Sequence, residues 1–419
     1  MKKSILAASV GTVALAGLAW AAAGGMGFGN FGGNGGGAVL LPASSQGDAA
    51  PVVRATAAAP ADGVQLAADG KHIVDAYICK FNAGSVGRGN ERAEANRAAS
   101  AAGGRIGHVY DVALQGFSIH ASARGVEMMA RNNPRIDYCE QDQVMAIVDP
   151  VEALAGKPGG GGTTLPAQVT TLAGVDRVFG RVAGATGTAC VIDTGIDLDH
   201  PDLNVDVARS RNFVSNESSP NDLNGHGSHV AGTIAGIDNG IGTYGVAPGA
   251  KLVAIRVLNR RGSGSNSDVI AGVNYAATTA AGCTVANMSL GGGVSTLLDS
   301  AVLNASLTGV KFALAAGNET DDANNHSPAR VNGQNVYTIA AFSATTGNWA
   351  SFSNYGSPVD YAEPGVSVFS TWKDAGYNTI SGTSMATPHF AGLLLIGSIR
   401  SPDSVTRTGA SDSYPIGIH

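Results

Sequence analysis

Residues 188–196 read T-A-C-V-I-D-T-G-I. Three later stretches share the pattern: K-L-V-A-I-R-V-L (251–258), T-V-A-N-M-S-L-G-G (284–292) and V-K-F-A-L-A-A-G-N (310–318). Each is a short, continuous apolar run that ends in small or polar residues. Runs without polar alternation belong to strands covered on both faces, and helical runs separate them here. The expectation is an α/β fold, a doubly wound and mainly parallel sheet with flanking helices. In such sheets the chemistry sits beyond the carboxyl ends of the strands, so the residues that close the runs are the first candidates.

Asp193 closes the first run; a carboxylate after buried strand residues is costly unless something hydrogen-bonds it. N-G-H-G-S-H-V-A-G-T-I-A-G (224–236) opens a helix of small residues and sets the His226 imidazole at its start, between glycines, a place for reaction rather than packing. His229 lies three residues on, but no H-E-x-x-H pattern and no Cys or carboxylate cluster accompanies it, so a metal pair is rejected. In I-S-G-T-S-M-A-T-P-H-F-A-G (380–392), Ser384 starts a helical run in which Pro388 is tolerable only in an early turn. A nucleophile there gains from the helix dipole, and its own N–H faces developing negative charge. Asn318 closes A-A-G-N, where its amide can donate to an oxyanion. Asp, His, Asn and Ser, each on its own strand end or helix start, are what acyl transfer needs.

The chain has 419 residues, 44% hydrophobic and 14% charged, enough apolar surface for a sizeable core, which excludes wholesale disorder. Its 59 glycines follow no three-residue period, which excludes collagen. The net charge is −6 with no long basic run, so nucleic acid is not an expected partner. Residues 1–159 hold 13 basic and 13 acidic residues, and residues 160–419 hold 13 and 19, so a neutral front precedes an acidic back.

Residues 1–23, M-K-K-S followed by an apolar stretch and A-x-A, have the form of a secretory signal cut after Ala23, or after Ala21. Residues 24–70 are rich in Gly, Ala, Pro and small polar residues and read as a flexible leader. Strand and helix patterns over 71–148 follow the order βαββαβ, a small α+β ferredoxin-like domain in which Ser122 is a helix N-cap. Residues 149–166, with A-G-K-P-G-G-G-G, read as a linker. No later segment has the uninterrupted apolar length of a membrane span, so the expectation is an exported soluble protein, extracellular or periplasmic, with no stable membrane association. Four cysteines in an exported chain permit two disulfides. The first and last strands of a βαββαβ sheet are antiparallel neighbours, so Cys79 and Cys139 can meet. Cys190 and Cys283 are either a second pair or two buried thiols.

D-T-G-I-D (193–197), H-G-S-H-V-A-G-T (226–233) and G-T-S-M-A-T-P-H (382–389), in the chain order Asp, His, Ser, resemble the motifs of the subtilisin-like serine peptidase family, including its proteinase K branch. The resemblance covers residues 167–397, so 167–419 is expected to be a catalytic domain of subtilisin-like fold. Residues 71–148, ending in E-Q-D-Q-V, resemble that family's inhibitory propeptide, which assists folding and occupies the cleft. The resemblance implies that Ser384 Oγ attacks the peptide carbonyl, that His226 takes its proton and returns it to the leaving amine, and that Asp193 orients His226. The Asn318 amide and Ser384 N–H then hold the oxyanion. An extended peptide is implied to pair with Gly262, Ser263 and Gly264 on one edge and with Ser289, Leu290 and Gly291 on the other. The primary specificity pocket would lie between 289–292 and 315–318, beside Ala316 and Gly317, with His326 near its floor.

The resemblance also implies a structural calcium ion. Asp202, Asn239, the side chain of Gln168 and the carbonyls of Ile237, Ile241 and Thr243 would supply the oxygen ligands a hard cation requires. The implied product is a secreted, monomeric serine endopeptidase acting on extended peptides, cut by itself from its precursor between about residues 146 and 167. A catalytically silent binding protein on the same scaffold, and peptide ligation by the same triad, are the alternatives. Three departures stand out: Ser228 replaces the family's Thr, T-T-L-A-G (170–174) lacks its Pro-aromatic pair, and only 22 residues follow Gly397, without its amphipathic tail helix.

Overall fold

The computed structural model describes residues 66–147 and 165–419. The expected signal segment and its cut, most of the leader and most of the linker lie outside the described residues.

In the front domain, β1 (His72–Phe81), β2 (Arg105–Tyr110), β3 (Gly116–His120) and β4 (Ile136–Ile147) form an antiparallel sheet in the order β4-β1-β3-β2. Helices α1 (Glu91–Ala102) and α2 (Ala123–Asn132) complete it. α1 is built from good helix formers and stops at Gly103, whose φ of 65° suits a left-handed cap. Its Ala95, Ala98, Ala99 and Ala102 are buried with Phe81, Phe117, Ile119 and Met129. Ser122 caps α2 by accepting from Gly125 N at 3.2 Å. Cys79 and Cys139 are register partners on β1 and β4 and are joined by a disulfide.

After α3 (Ala173–Arg177) comes the parallel sheet. It consists of β5 (Thr188–Asp193), β6 (Arg211–Asn212), β7 (Lys251–Arg256), β9 (Val285–Met288), β11 (Lys311–Ala315), β12 (Val336–Phe342) and β13 (Val359–Pro364). Their order is β13-β12-β11-β9-β5-β7-β6. Both faces are buried, and alternate residues serve opposite sides. Ala189 and Val191 of β5 cluster with α4 (His226–Ala235) and α7 (Thr383–Ile396). Cys190 and Ile192 cluster with α5 (Asn266–Ala276) and α6 (Thr296–Ser306). This explains the unbroken apolar runs. Cys190 is bonded to Cys283, so these two are a pair. Short edge strands β8 (Ser263–Ser265) and β10 (Leu290–Gly292) stand outside this sheet, and the hairpin of β14 (Val368–Trp372) and β15 (Gly376–Ile380) lies against α4.

The chain after α7 folds as a hairpin of β16 (Arg400–Thr406) and β17 (Ser413–Ile418). Val405, Tyr414, Ile416 and Ile418 are buried with Phe342, Trp349 and Ala362. Glu363 on β13 is fully buried, accepts from Gly417 N at 2.9 Å, and is held by burial well above the usual carboxylate range. No helix among the described residues is long and apolar enough to cross a membrane.

Candidate active site

Asp193 ends β5 and His226 begins α4. The fully buried Asp193 carboxylate accepts from His226 Nδ1 at 2.8 Å and from Thr194 N at 2.7 Å. A carboxylate at Nδ1 demands the proton there, so Nε2 of the neutral ring carries the lone pair. His226 Nε2 is buried with no hydrogen-bond partner among the described residues. A nitrogen in that state is ready to accept a proton.

Ser384 is the second residue of α7. Its Oγ donates to Ser289 O at 3.1 Å, and its own carbonyl accepts from Ser289 Oγ at 2.9 Å. The second bond follows from Pro388, which lacks the N–H that would reach back four residues to Ser384 O. The Ser289 hydroxyl fills that place, and Asn287 Nδ2 donates to it at 2.9 Å. Asn318 Oδ1 accepts from Thr383 N and Thr383 Oγ1, both at 2.9 Å, which fixes the direction of its amide. A Cβ placed on Gly382 would lie 3.0 Å from Asn318 Nδ2 and 3.6 Å from Ser384 N. Asn318 Nδ2 and Ser384 N therefore lie close to one spot at the start of α7. The structure thus brings Asp193 to His226 and Asn318 to Ser384, on helices α4 and α7 that pack against each other.

The last strand of the front domain runs between the two edges expected to take a peptide. β4 pairs antiparallel with β10 (Leu290 opposite Ile147, Gly291 opposite Ala146) and with β8 (Gly264 opposite Met145, Ser263 opposite Ala146). Ile147 N also donates to Gly262 O at 2.8 Å. Beside this strip, Gly292 N donates to Ser327 O at 3.0 Å, and Ala316 O accepts from Asn354 Nδ2 at 3.0 Å. A Cβ on Gly317 would lie 2.2 Å from Asn354 Nδ2, so only glycine fits there. The His326 ring faces an acidic loop, with Nε2 3.1 Å from Asp321 Oδ2 and 3.8 Å from Glu319 Oε2.

Residues 184–399, just over half of the chain, match the sequence model of the subtilase family. The chain belongs to the subtilase family. This subtilase is 43% identical over 300 residues to the alkaline serine exoprotease A of Vibrio alginolyticus, covering 69% of the chain and 52% of that relative, so it spans about half the relative's length. It is 41% identical over 304 residues to an extracellular serine proteinase of Thermus sp. strain Rt41A, covering 72% of the chain and 70% of that protein. Proteinase R of Parengyodontium album is 36% identical over 334 residues, covering 78% and 80%. The crystal structure of a cold-adapted subtilisin-like serine proteinase superposes with a TM-score of 0.50 at 45% identity, covering 54% of this chain and 85% of that one. The fold is the subtilisin-like α/β sheet.

In the segment between β5 and β6, Asp202 Oδ2 accepts at 2.9 Å from the N–H of Thr243 in the loop after α4, and Oδ1 is buried with no hydrogen-bond partner among the described residues. Burial pushes this carboxyl up to about 6. Gln168 Nε2 donates to the carbonyls of Ile237 and Thr243 at 3.1 and 2.8 Å, and Asn239 Oδ1 accepts from Ile241 N at 3.0 Å. A half-satisfied buried carboxylate beside carbonyls suits a hard cation, whereas Gln168, expected to offer its oxygen, turns Nε2 toward the two carbonyls and uses Oε1 to accept from Gly240 N at 3.3 Å. Among the described residues no three His, Cys, Asp or Glu side chains gather as a metal site, so this donor set rests on amides, carbonyls and one carboxylate.

Sequence reading passed over the residues that seat the front domain. Glu140 Oε2 accepts from Thr296 N and Thr296 Oγ1 at 3.1 and 2.8 Å, and Asp142 Oδ1 accepts from Ser267 N at 3.2 Å. These carboxylates meet the first turns of α6 and α5. The signal lay in E-Q-D, since acids two apart share one face of a strand. Asn274 Oδ1 adds bonds from the N–H groups of Asp111, Val112 and Ala113, and His108 Nε2 meets Asp268 Oδ1 at 2.8 Å.

Proposed function

We propose that this subtilase is a secreted serine endopeptidase made as a precursor that cuts itself, with residues 71–148 as its folding aid and inhibitor. One observation carries the reading. The final strand of the front domain lies in the groove in the pose of an extended substrate, its register running from Met145 through Ile147 toward Ser289 and Ser384. The cut then falls shortly after Ile147. Ser384 Oγ attacks the carbonyl of the bound strand and its proton passes to His226 Nε2, while Asp193 steadies the charged ring. Asn318 Nδ2 and Ser384 N–H hold the oxyanion. His226 then protonates the leaving amine, and water, activated by the same nitrogen, releases the acyl group. Backbone pairing on both edges makes the groove tolerant of sequence.

Calcium fits Asp202, Asn239 and the carbonyls of Ile237, Ile241 and Thr243. When bound it would neutralise Asp202 and pin the loop. A chelator is then expected to lower the unfolding temperature, and an unchanged temperature would remove calcium from the proposal.

The function is tested by expressing the full chain and its Ser384→Ala form and measuring their masses. The expected result is a shortened product with an N-terminus after residue 147 in the first, and an uncut chain in the second. Equal masses would contradict self-processing and favour the silent scaffold.

A further inference from the structure

We infer that Asp222 is a positioning residue that sets His226 against Asp193. The inference rests on the peptidase reading above and concerns the start of α4. A helix start leaves backbone N–H groups without partners, usually met by a Ser, Thr, Asp or Asn at the N-cap. The N-cap here is Gly225, at φ 115°, and offers no side chain. A Cβ there would lie 2.1 Å from Trp372 Cε2, so the indole of β14 forbids a cap at its usual position.

Three other residues supply the acceptors. Asn224 Oδ1 accepts from His226 N at 3.1 Å, Thr194 Oγ1 from Gly227 N at 3.0 Å, and Asp222 Oδ2 from Ser228 N at 2.9 Å. Asp222 is the centre of this set. It is 2% exposed and accepts from five donors. Oδ1 takes Thr194 Oγ1, Asn224 N and Gly225 N at 2.9, 2.9 and 2.8 Å. Oδ2 takes Ser228 N and Ser228 Oγ at 2.9 and 2.7 Å. Thr194 is the residue whose N–H holds Asp193 Oδ1. One carboxylate therefore ties the end of β5, which carries Asp193, to the first turn of α4, which carries His226. Its charge also sits at the positive end of that helix. An amide in its place keeps the shape but turns an NH₂ toward N–H and O–H donors, leaving them without an acceptor.

The test uses enzyme processed from the full chain, counted by an irreversible serine titrant. Asp222→Asn is expected to lower kcat on a chromogenic peptide by about 10- to 100-fold with KM within about twofold. In the uncut Ser384→Ala chain, adding Asp222→Asn is expected to move or broaden the low-field proton signal of the Asp193–His226 hydrogen bond. Should Asp222→Asn not fold, Thr194→Val, which removes the hydroxyl that donates to Asp222 and accepts from Gly227 N, is expected to lose about tenfold in kcat, and Thr194→Ser to regain most of it. A folded variant with unchanged kcat and proton signal, or a loss carried wholly by KM, would overturn the inference. A wild-type enzyme that hydrolyses no peptide would instead overturn the peptidase reading.

Discussion

Helices α5 and α6 begin after Ser265 and Ser295, whose hydroxyls accept from Asp268 N and Leu298 N at 3.1 and 3.2 Å. Helices α4 and α7 begin after Gly225 and Gly382, which have no side chain to accept anything. All four flank the same sheet and are of similar length. The pair that only packs caps itself from within its own sequence. The pair that carries His226 and Ser384 borrows its acceptors from Asp222, Thr194 and Asn224 at α4 and from Asn318 at α7. At these two helix starts the space a cap would fill is taken by neighbouring side chains, so the N-cap rule is broken there and repaired by Asp222 and Asn224 just upstream of α4 and by Thr194 and Asn318 from other elements.

The largest test of this contrast removes a borrowed acceptor that is also a donor. Asn318→Ala is expected to lower kcat roughly 10²- to 10³-fold with little change in KM, measured on a peptide substrate. A smaller effect comes from giving α4 a cap of its own. Gly225→Ser would gain about 1 kcal/mol on an ordinary helix, but against Trp372 and at φ 115° it is expected to lose about 2 kcal/mol in denaturant unfolding. A stabilised variant would show that α4 is an ordinary helix start.

The self-capped helices receive a second set of acceptors from β4, so attachment of the front domain is expected to depend on pH. Burial first, and the neighbouring Asp268 charge after it, raise Asp142 to about 7, against hydrogen bonds from Ser267 and Gln143 that lower it. An acid raised in the assembled state holds a proton that the separated parts give up. Its stabilisation is therefore complete below the ordinary carboxyl range and lost as pH rises through about 7. Release of the cut front domain is expected to quicken roughly tenfold between about pH 5 and pH 8, with Asp142→Asn flattening the profile. A flat wild-type profile would contradict this. The smallest effect belongs to α6 alone: Ser295→Ala is expected to cost about 1 kcal/mol of stability and leave kcat unchanged.

Much of this was readable along the chain because the signals are local. The parallel sheet announces itself in apolar runs, and its strand ends deliver Asp193 and the approach to Asn318. The Cys79–Cys139 bond follows from strand order, because β1 and β4 are neighbours in any such sheet. Cys190 and Cys283 stayed open because Cys283 lies in a loop whose distance from β5 no local pattern reports. Asp222 stayed hidden for a similar reason: its link to Thr194 and its need, which arises from Trp372, both reach it from far along the chain. The terminal hairpin was hidden as well. R-S-P-D-S-V-T shows no alternation, and its partner strand gains burial only by docking on β13.

The central claim is that the two bare helix starts are the reactive ones. It is tested most directly by treating the processed enzyme with a fluorophosphonate and mapping the label by peptide mass. The expected result is a single labelled residue, Ser384, with labelling lost in a processed enzyme inactivated by alkylation of His226. Labelling of another serine, or none in a folded enzyme, would contradict it.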